Sequence, residues 1–207
     1  MRQGFAVKRL LTGRSRICAT QHYATQFCGA QGICFPCPEC YRLFTCFSHD
    51  RKGGKALHLR ICKSARQLTL WQEDRLILRC PVGLGRCPAG PKTREGDGCT
   101  PEGTYAICLV KEQGKYGRSL GISYPGPLDA ERALREGRID RETYQAVCLA
   151  HQQNRRPPWG SPLGGEIYIH EGGSASDWTQ GCIALNTADM DGLFPYWQQI
   201  ESVEILP

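Results

Sequence analysis

The sequence predicts a mainly β fold with helical insertions: a β-sandwich-like domain behind an irregular, Cys-rich N-terminal segment. Three observations predict it. Short runs alternate apolar and polar residues, the period of a half-buried strand. Gly- and Pro-rich stretches separate those runs. One interlude, from about residue 128 to 153, spaces its apolar residues by three and four instead.

The alternation begins at Leu57, Leu59 and Ile61 and continues through Leu68 and Leu70, then Leu76 and Leu78. Glu73-Asp74 falls between the second and third runs as a short hairpin turn. Loops follow from Pro81 to Gly98, then a strand from Gly103 to Val110. Leu120 to Ser123, Glu166 to His170, Ile183 to Leu185 and Val203 to Leu206 complete the strands. Leu128 to Gly137 and Arg141 to Gln153 read as helices, with Asp129 and Asp140 as N-caps and Gly137 as a stop. Met190 to Gln199 reads as one further short helix.

Composition divides the chain into residues 1–53 and 54–207. The chain has 207 residues and a net charge of +6. Residues 1–53 hold eight Lys or Arg against Glu39 and Asp50, while residues 54–207 hold 18 bases and 18 acids. The whole excess therefore sits in the first quarter, which argues against a nucleic-acid partner for the main domain. No apolar run is long enough for a transmembrane span. No clear signal peptide is expected either, because Gln21, His22 and Gln26 break the apolar stretch after Arg16.

Cysteine is frequent, with 13 residues, six of them at or before position 46. Cys34, Cys37 and Cys40 form C-x2-C-x2-C, with Cys46 beyond them. Four readings stay open for this cluster. Zinc would take Cys37, Cys40, Cys46 and His49, or the set Cys34, Cys37, Cys40 and Cys46. An iron–sulfur site lacks the usual C-x3-C-P ending. Disulfides and an unstructured tail are the other two.

The chemistry concentrates in His170 and the run Asp177-Trp178-Thr179-Gln180-Gly181-Cys182-Ile183-Ala184-Leu185. A Cys after Gly, at the head of an apolar strand, suits a thiol nucleophile. Glycine lets the backbone approach a substrate and turns amides toward an oxyanion. A thiol needs a base, and imidazole has a fitting pKa. His170 ends one expected strand and Cys182 begins the next. The bland reading, a core Cys and a structural His, stands beside this one on spacing alone.

The run from Asp177 to Leu185 closely resembles the D-W-T-x-G-C-I-A-L signature of one branch of the L,D-transpeptidase catalytic domain, also called YkuD. Supporting stretches are Cys80 to Gly85, Glu95 to Tyr105, Ser119 to Pro125 and Pro158 to Ile167. The resemblance covers about Leu57 to Pro207 and leaves residues 1–53 unexplained. It implies a sandwich of two mixed β-sheets. It implies acyl transfer on peptidoglycan stem peptides through a Cys thioester, with no catalytic cofactor. It also implies carbapenem-type inhibitors and a periplasmic or cell-wall location; a monomer is expected. Carried over by motif, Cys182 is the nucleophile, His170 the general base, and the Glu171 backbone carbonyl orients the imidazole. The Gly181 and Cys182 amides are oxyanion candidates from local geometry. Tyr124, Trp159, Trp178, Thr179 and Gln180 are the candidate substrate contacts, with packing roles as the bland alternative.

Two positions depart from the family pattern. Gln180 stands where many members carry a second His, and Glu171 stands where the first His is usually followed by Gly. A charged Glu171 is expected to raise the His170 pKa or narrow the entrance. Three functions remain in competition: a transpeptidase, a hydrolase using the same Cys-His site, and an inactive wall-binding or metal-binding protein.

Overall fold

A computed structural model describes residues 56–207. The Cys34, Cys37, Cys40 and Cys46 cluster and His49 lie outside the described residues.

Among the described residues, nine strands form two sheets. The first sheet contains β1 (Leu57–Cys62), β2 (Gln67–Gln72), β3 (Arg75–Pro81), β4 (Gly103–Tyr105) and β9 (Ile200–Leu206), in the order β3-β2-β1-β9-β4. The second contains β5 (Ile107–Gly114), β6 (Gly117–Ile122), β7 (Tyr168–Glu171) and β8 (Ile183–Leu185), in that order. Each sheet has one parallel pair, β1 with β9 and β7 with β8, and is antiparallel elsewhere. Both sheets are therefore mixed, as expected.

The period-two pattern does what strand geometry requires. Leu57, Leu59 and Ile61 point into the core, while His58 and Arg60 face outward. The same core takes Leu68 and Leu70 of β2, Val203 and Ile205 of β9, Leu120 and Ile122 of β6, and Ile169, Ile183 and Leu185 near the site. Glu73-Asp74 links β2 to β3 as expected, with Glu73 at φ 52°, the left-handed region that tight hairpin turns use.

Several expected elements differ in detail. The single strand expected from Gly103 to Val110 is two strands in different sheets. The break comes at Ala106, whose amide and carbonyl bond Ser123 Oγ and Ser123 N at 3.0 and 2.8 Å. Asp129 is not an N-cap. Helix α1 (Pro127–Arg135) starts earlier, with Gly126 as its cap and Pro127 in the first turn. The Asp129 carboxylate reaches back to the Gly126 amide at 2.9 Å and accepts the Tyr105 hydroxyl at 3.0 Å. Asp140 does cap α2 (Arg141–Gln152), accepting the Thr143 amide at 2.8 Å. The helix expected over Met190 to Gln199 is α3 (Thr187–Leu193) followed by a 3₁₀ turn (Phe194–Gln199), because Pro195 removes a helical donor. Among the described residues, no helix is long and apolar enough to cross a membrane.

Helices α1 and α2 form a smaller cluster of Ala130, Ala133, Ile139, Val147 and Leu163. Leu59 lies fully buried in the main core, whereas Leu128 on α1 is 61% exposed. Leu59→Ala should cost about 2–5 kcal/mol in a urea titration with an unchanged slope, and Leu128→Ala less than about 0.5 kcal/mol.

Candidate active site

The parallel ladder of β7 and β8 sets Ile169 beside Ile183, His170 beside Ala184 and Glu171 beside Leu185. Cys182 lies just before β8 and Tyr168 two residues before His170, on the same face of β7 by strand alternation. The Tyr168 amide donates to Cys182 Sγ at 3.4 Å, and the thiol donates to the Glu166 carbonyl at 3.5 Å. Cys182 and His170 both line one cleft of about 270 Å³, with Lys111, Lys115, Tyr116, Ser119, Glu166 and Tyr168 around them.

The imidazole is held on several sides. Nδ1 donates to the Glu171 carbonyl at 2.5 Å. A carbonyl only accepts, so the proton sits on Nδ1 and Nε2 keeps its lone pair. The Tyr116 ring stacks on the imidazole at 4.9 Å, and Trp178 meets it edge-on at 5.7 Å. Burial lowers the His170 pKa, against the opposing pull of the Glu171 carbonyl. Burial raises the Cys182 pKa, with Glu166 adding to the rise and the Tyr168 amide and Lys92 opposing it. Burial thus disfavours the charged form of both groups.

The loop carrying Cys182 is anchored at its start. Asp177 takes Arg66 Nε and Nη2 at 3.0 and 2.8 Å on Oδ2, and the Leu84 amide at 2.9 Å on Oδ1. The Trp178 indole donates to the Gly173 carbonyl at 3.1 Å. Thr179 is 4% exposed; its hydroxyl accepts the Gly181 amide at 3.1 Å and donates to the Cys182 carbonyl at 2.7 Å. Gly181 has φ 125°, and a Cβ there would lie 2.6 Å from the Cys99 carbonyl oxygen, so only glycine fits the turn before the thiol.

These contacts revise several expected roles. The Gly181 amide is committed to Thr179 Oγ1, which leaves the Cys182 amide as the oxyanion candidate. Thr179 staples the loop from inside and is buried. Tyr124 is fully buried, its hydroxyl on the Leu163 carbonyl at 3.1 Å. Trp159 donates to the Tyr124 carbonyl at 2.9 Å and meets Tyr168 edge-on at 5.5 Å, so it stands behind a cleft residue. Gln180 is exposed and Trp178 packs against the His170 ring. Glu171 turns its carboxylate to Arg118 Nε at 2.8 Å and does not line the cleft. The His170 pKa consequently moves down with burial instead of up with Glu171. Sequence reasoning passed over Tyr116, Lys111, Lys115 and Tyr168. The first three fall between the strands it identified, while Tyr168 was legible as the same-face partner of His170.

All seven described cysteines are free thiols; Cys80 is buried, which pushes its pKa up to about 12, while Cys87 is exposed. Cys87 and Cys99, which flank the Gly-rich loop, are unpaired. Among the described residues, no group of three or more His, Cys, Asp or Glu is arranged to hold a metal ion.

The model of the L,D-transpeptidase catalytic domain, YkuD, matches residues 57–205. No curated protein sequence matches the chain. The crystal structure of the helical cell shape determining protein Pgp2 from Campylobacter jejuni aligns with 72% of this chain and 47% of its own, at 21% identity and TM-score 0.51. Its K307A mutant gives 72%, 46%, 21% and 0.52. An L,D-transpeptidase from Mycobacterium smegmatis aligns with 74% of this chain and 60% of its own, at 11% identity and TM-score 0.40. The chain thus spans less than two thirds of these solved proteins. The Pgp2 likeness is one of fold.

The upward shift of the Cys182 pKa has a measurable consequence. Alkylation of Cys182 by iodoacetamide, followed peptide by peptide in the mass spectrometer, should keep climbing with pH above about 8.5. A plateau near neutral pH would instead report a preformed thiolate–imidazolium pair.

Proposed function

The chain belongs to the L,D-transpeptidase catalytic-domain family, and on that premise we propose that it transfers the acyl group of a peptidoglycan stem peptide through Cys182. The observation that carries this reading is one cleft lined by Cys182 and by a His170 whose Nδ1 proton is tied to a carbonyl. A ring nitrogen fixed in that way leaves Nε2 as the base.

The steps follow from those groups. Cys182 Sγ leaves the Glu166 carbonyl and gives its proton to His170 Nε2. The thiolate attacks the carbonyl carbon of the third stem residue, and the Cys182 amide faces the developing oxyanion. The C–N bond then breaks. The imidazolium returns its proton to the departing amine of the terminal D-residue, leaving a thioester on Cys182. The side-chain amine of a neighbouring stem attacks the thioester, loses a proton to Nε2 and takes the acyl group, which frees the thiol. None of these steps requires a cofactor. Lys111 and Lys115 support an anionic peptide at the cleft, since both basic side chains line it. A peptidoglycan substrate places the work in the periplasm or cell wall.

Water in place of the amine would make the same thioester a hydrolytic intermediate. Incubation with disaccharide-tetrapeptide separates the two outcomes: crosslinked dimer for a transferase, free tripeptide for a hydrolase. Intact-mass labelling with a carbapenem tests the acyl-enzyme itself. One covalent adduct is expected on the wild type and none on Cys182→Ala. His170→Gln should slow adduct formation by roughly two orders of magnitude or more. A wild-type protein that takes no adduct contradicts the reading and favours an inactive wall-binding protein.

A further inference from the structure

The β5–β6 turn presses Tyr116 onto the base although nothing in its own sequence would hold it there. Tyr116 is 41% exposed, yet its ring lies stacked on His170 and edge-on to Trp178 at 5.4 Å. An exposed ring on a short turn gains little from burial, so something else must fix the turn.

Glu171 supplies the fixing group. Its Oε1 accepts the Arg118 amide at 3.3 Å and Arg118 Nε at 2.8 Å, at the first residues of β6. Gly117 has φ 78°, and a Cβ there would fall 2.6 Å from Glu171 Oε2, so the carboxylate occupies the space a side chain would need. Arg118 in turn pairs with Asp191 of α3 and lies over the Phe194 ring at 5.6 Å. The groups are half-buried, with side-chain exposures of 27% for Arg118 and 15% for Glu171. One residue therefore reaches the imidazole twice. The Glu171 carbonyl holds Nδ1 directly, and its carboxylate holds the turn that lays Tyr116 on the ring.

We propose that Glu171 and Arg118 form a clasp that positions the catalytic imidazole, by fastening the β5–β6 turn and Tyr116 against His170 and so fixing the Nδ1–H tautomer. The inference rests on the proposed role of His170 as base. Arg118, Glu171 and Tyr116 are positioning residues in it, and none is asked to touch the reacting atoms. The Glu171 carboxylate in this way contributes to preorganising the imidazole.

The test uses the full chain with ¹⁵N-labelled histidine, the His170 signals being assigned by their loss in His170→Gln. The wild type should show one tautomer, protonated at Nδ1. Arg118→Met should average the two tautomers and slow carbapenem acylation of Cys182 by roughly tenfold. Tyr116→Ala should do the same, and Tyr116→Phe, which keeps the ring, should restore both. The double variant Arg118→Met, Tyr116→Ala should be no slower than the slower single variant, because both changes break one linkage. Far-UV circular dichroism and thermal melting check folding, and Glu171→Ala replaces Arg118→Met if the latter does not fold. An unchanged tautomer in the folded variants, or rate losses that multiply, overturns the clasp. The tautomer is read without turnover. A tautomer fixed in the wild type and lost in Arg118→Met, with no adduct formed, would retain the clasp and reject the catalytic reading. An adduct with an indifferent tautomer would do the reverse.

Discussion

The parallel pairing of β7 with β8 is the constraint on which the rest of the site depends. It is short, only three register pairs, but Ile169, Ile183, Ala184 and Leu185 are fully buried and the core closes over them. Parallel neighbours need a crossover, and here that crossover is the loop of residues 172–182 rather than a helix. The loop must return the chain to the starting end of the adjacent strand. Cys182, just before β8, is thereby set beside the start of β7, and it shares one cleft with His170. Gly83 then pairs with Ala184 through two backbone bonds of 2.9 and 2.8 Å, which covers the outer edge of β8.

A loop of that length would fray without anchors, and its backbone groups would be left unpaired in a half-buried place. Asp177 binds it to Arg66 and to the Leu84 amide, and Thr179 ties the Gly181 amide and the Cys182 carbonyl through one hydroxyl. The chemistry inherits this rigidity. Burial discourages charge on Cys182 and His170, so in the proposed mechanism the thiol gives up its proton as it attacks rather than beforehand. Orientation, rather than a standing thiolate, is what the fold supplies.

Most of the architecture was legible in the sequence because its strands alternate cleanly. Leu57, Leu59 and Ile61 announce β1, and the apolar run after Cys182 announces β8. The pair of His170 and Cys182 was legible from residue chemistry and from the D-W-T-x-G-C run. What failed was context. The Asp129 carboxylate was read as a cap because it precedes an apolar face, but Pro127 had already begun the helix. Thr179, inside the motif, and Tyr124, in the supporting stretch Ser119 to Pro125, were candidate substrate contacts with packing as the alternative; their hydroxyls are taken by backbone partners. The Glu171 carbonyl was read correctly as the partner of the imidazole, but its side chain was read as a free charge beside the base; Arg118, distant in sequence, pairs with it. Tyr116 carries no local signal, since a tyrosine in a turn gains its meaning only from the ring placed beneath it.

The account stands on a thiol and an imidazole that act as one unit in a single cleft. A crystal structure of the carbapenem-reacted protein tests that most directly. It should show a thioester from Cys182 Sγ to the opened lactam, with His170 Nε2 within hydrogen-bond reach of the reacted centre and Nδ1 still on the Glu171 carbonyl. An adduct on another cysteine, such as the exposed Cys87, or an imidazole turned away from an acylated Cys182, would contradict it.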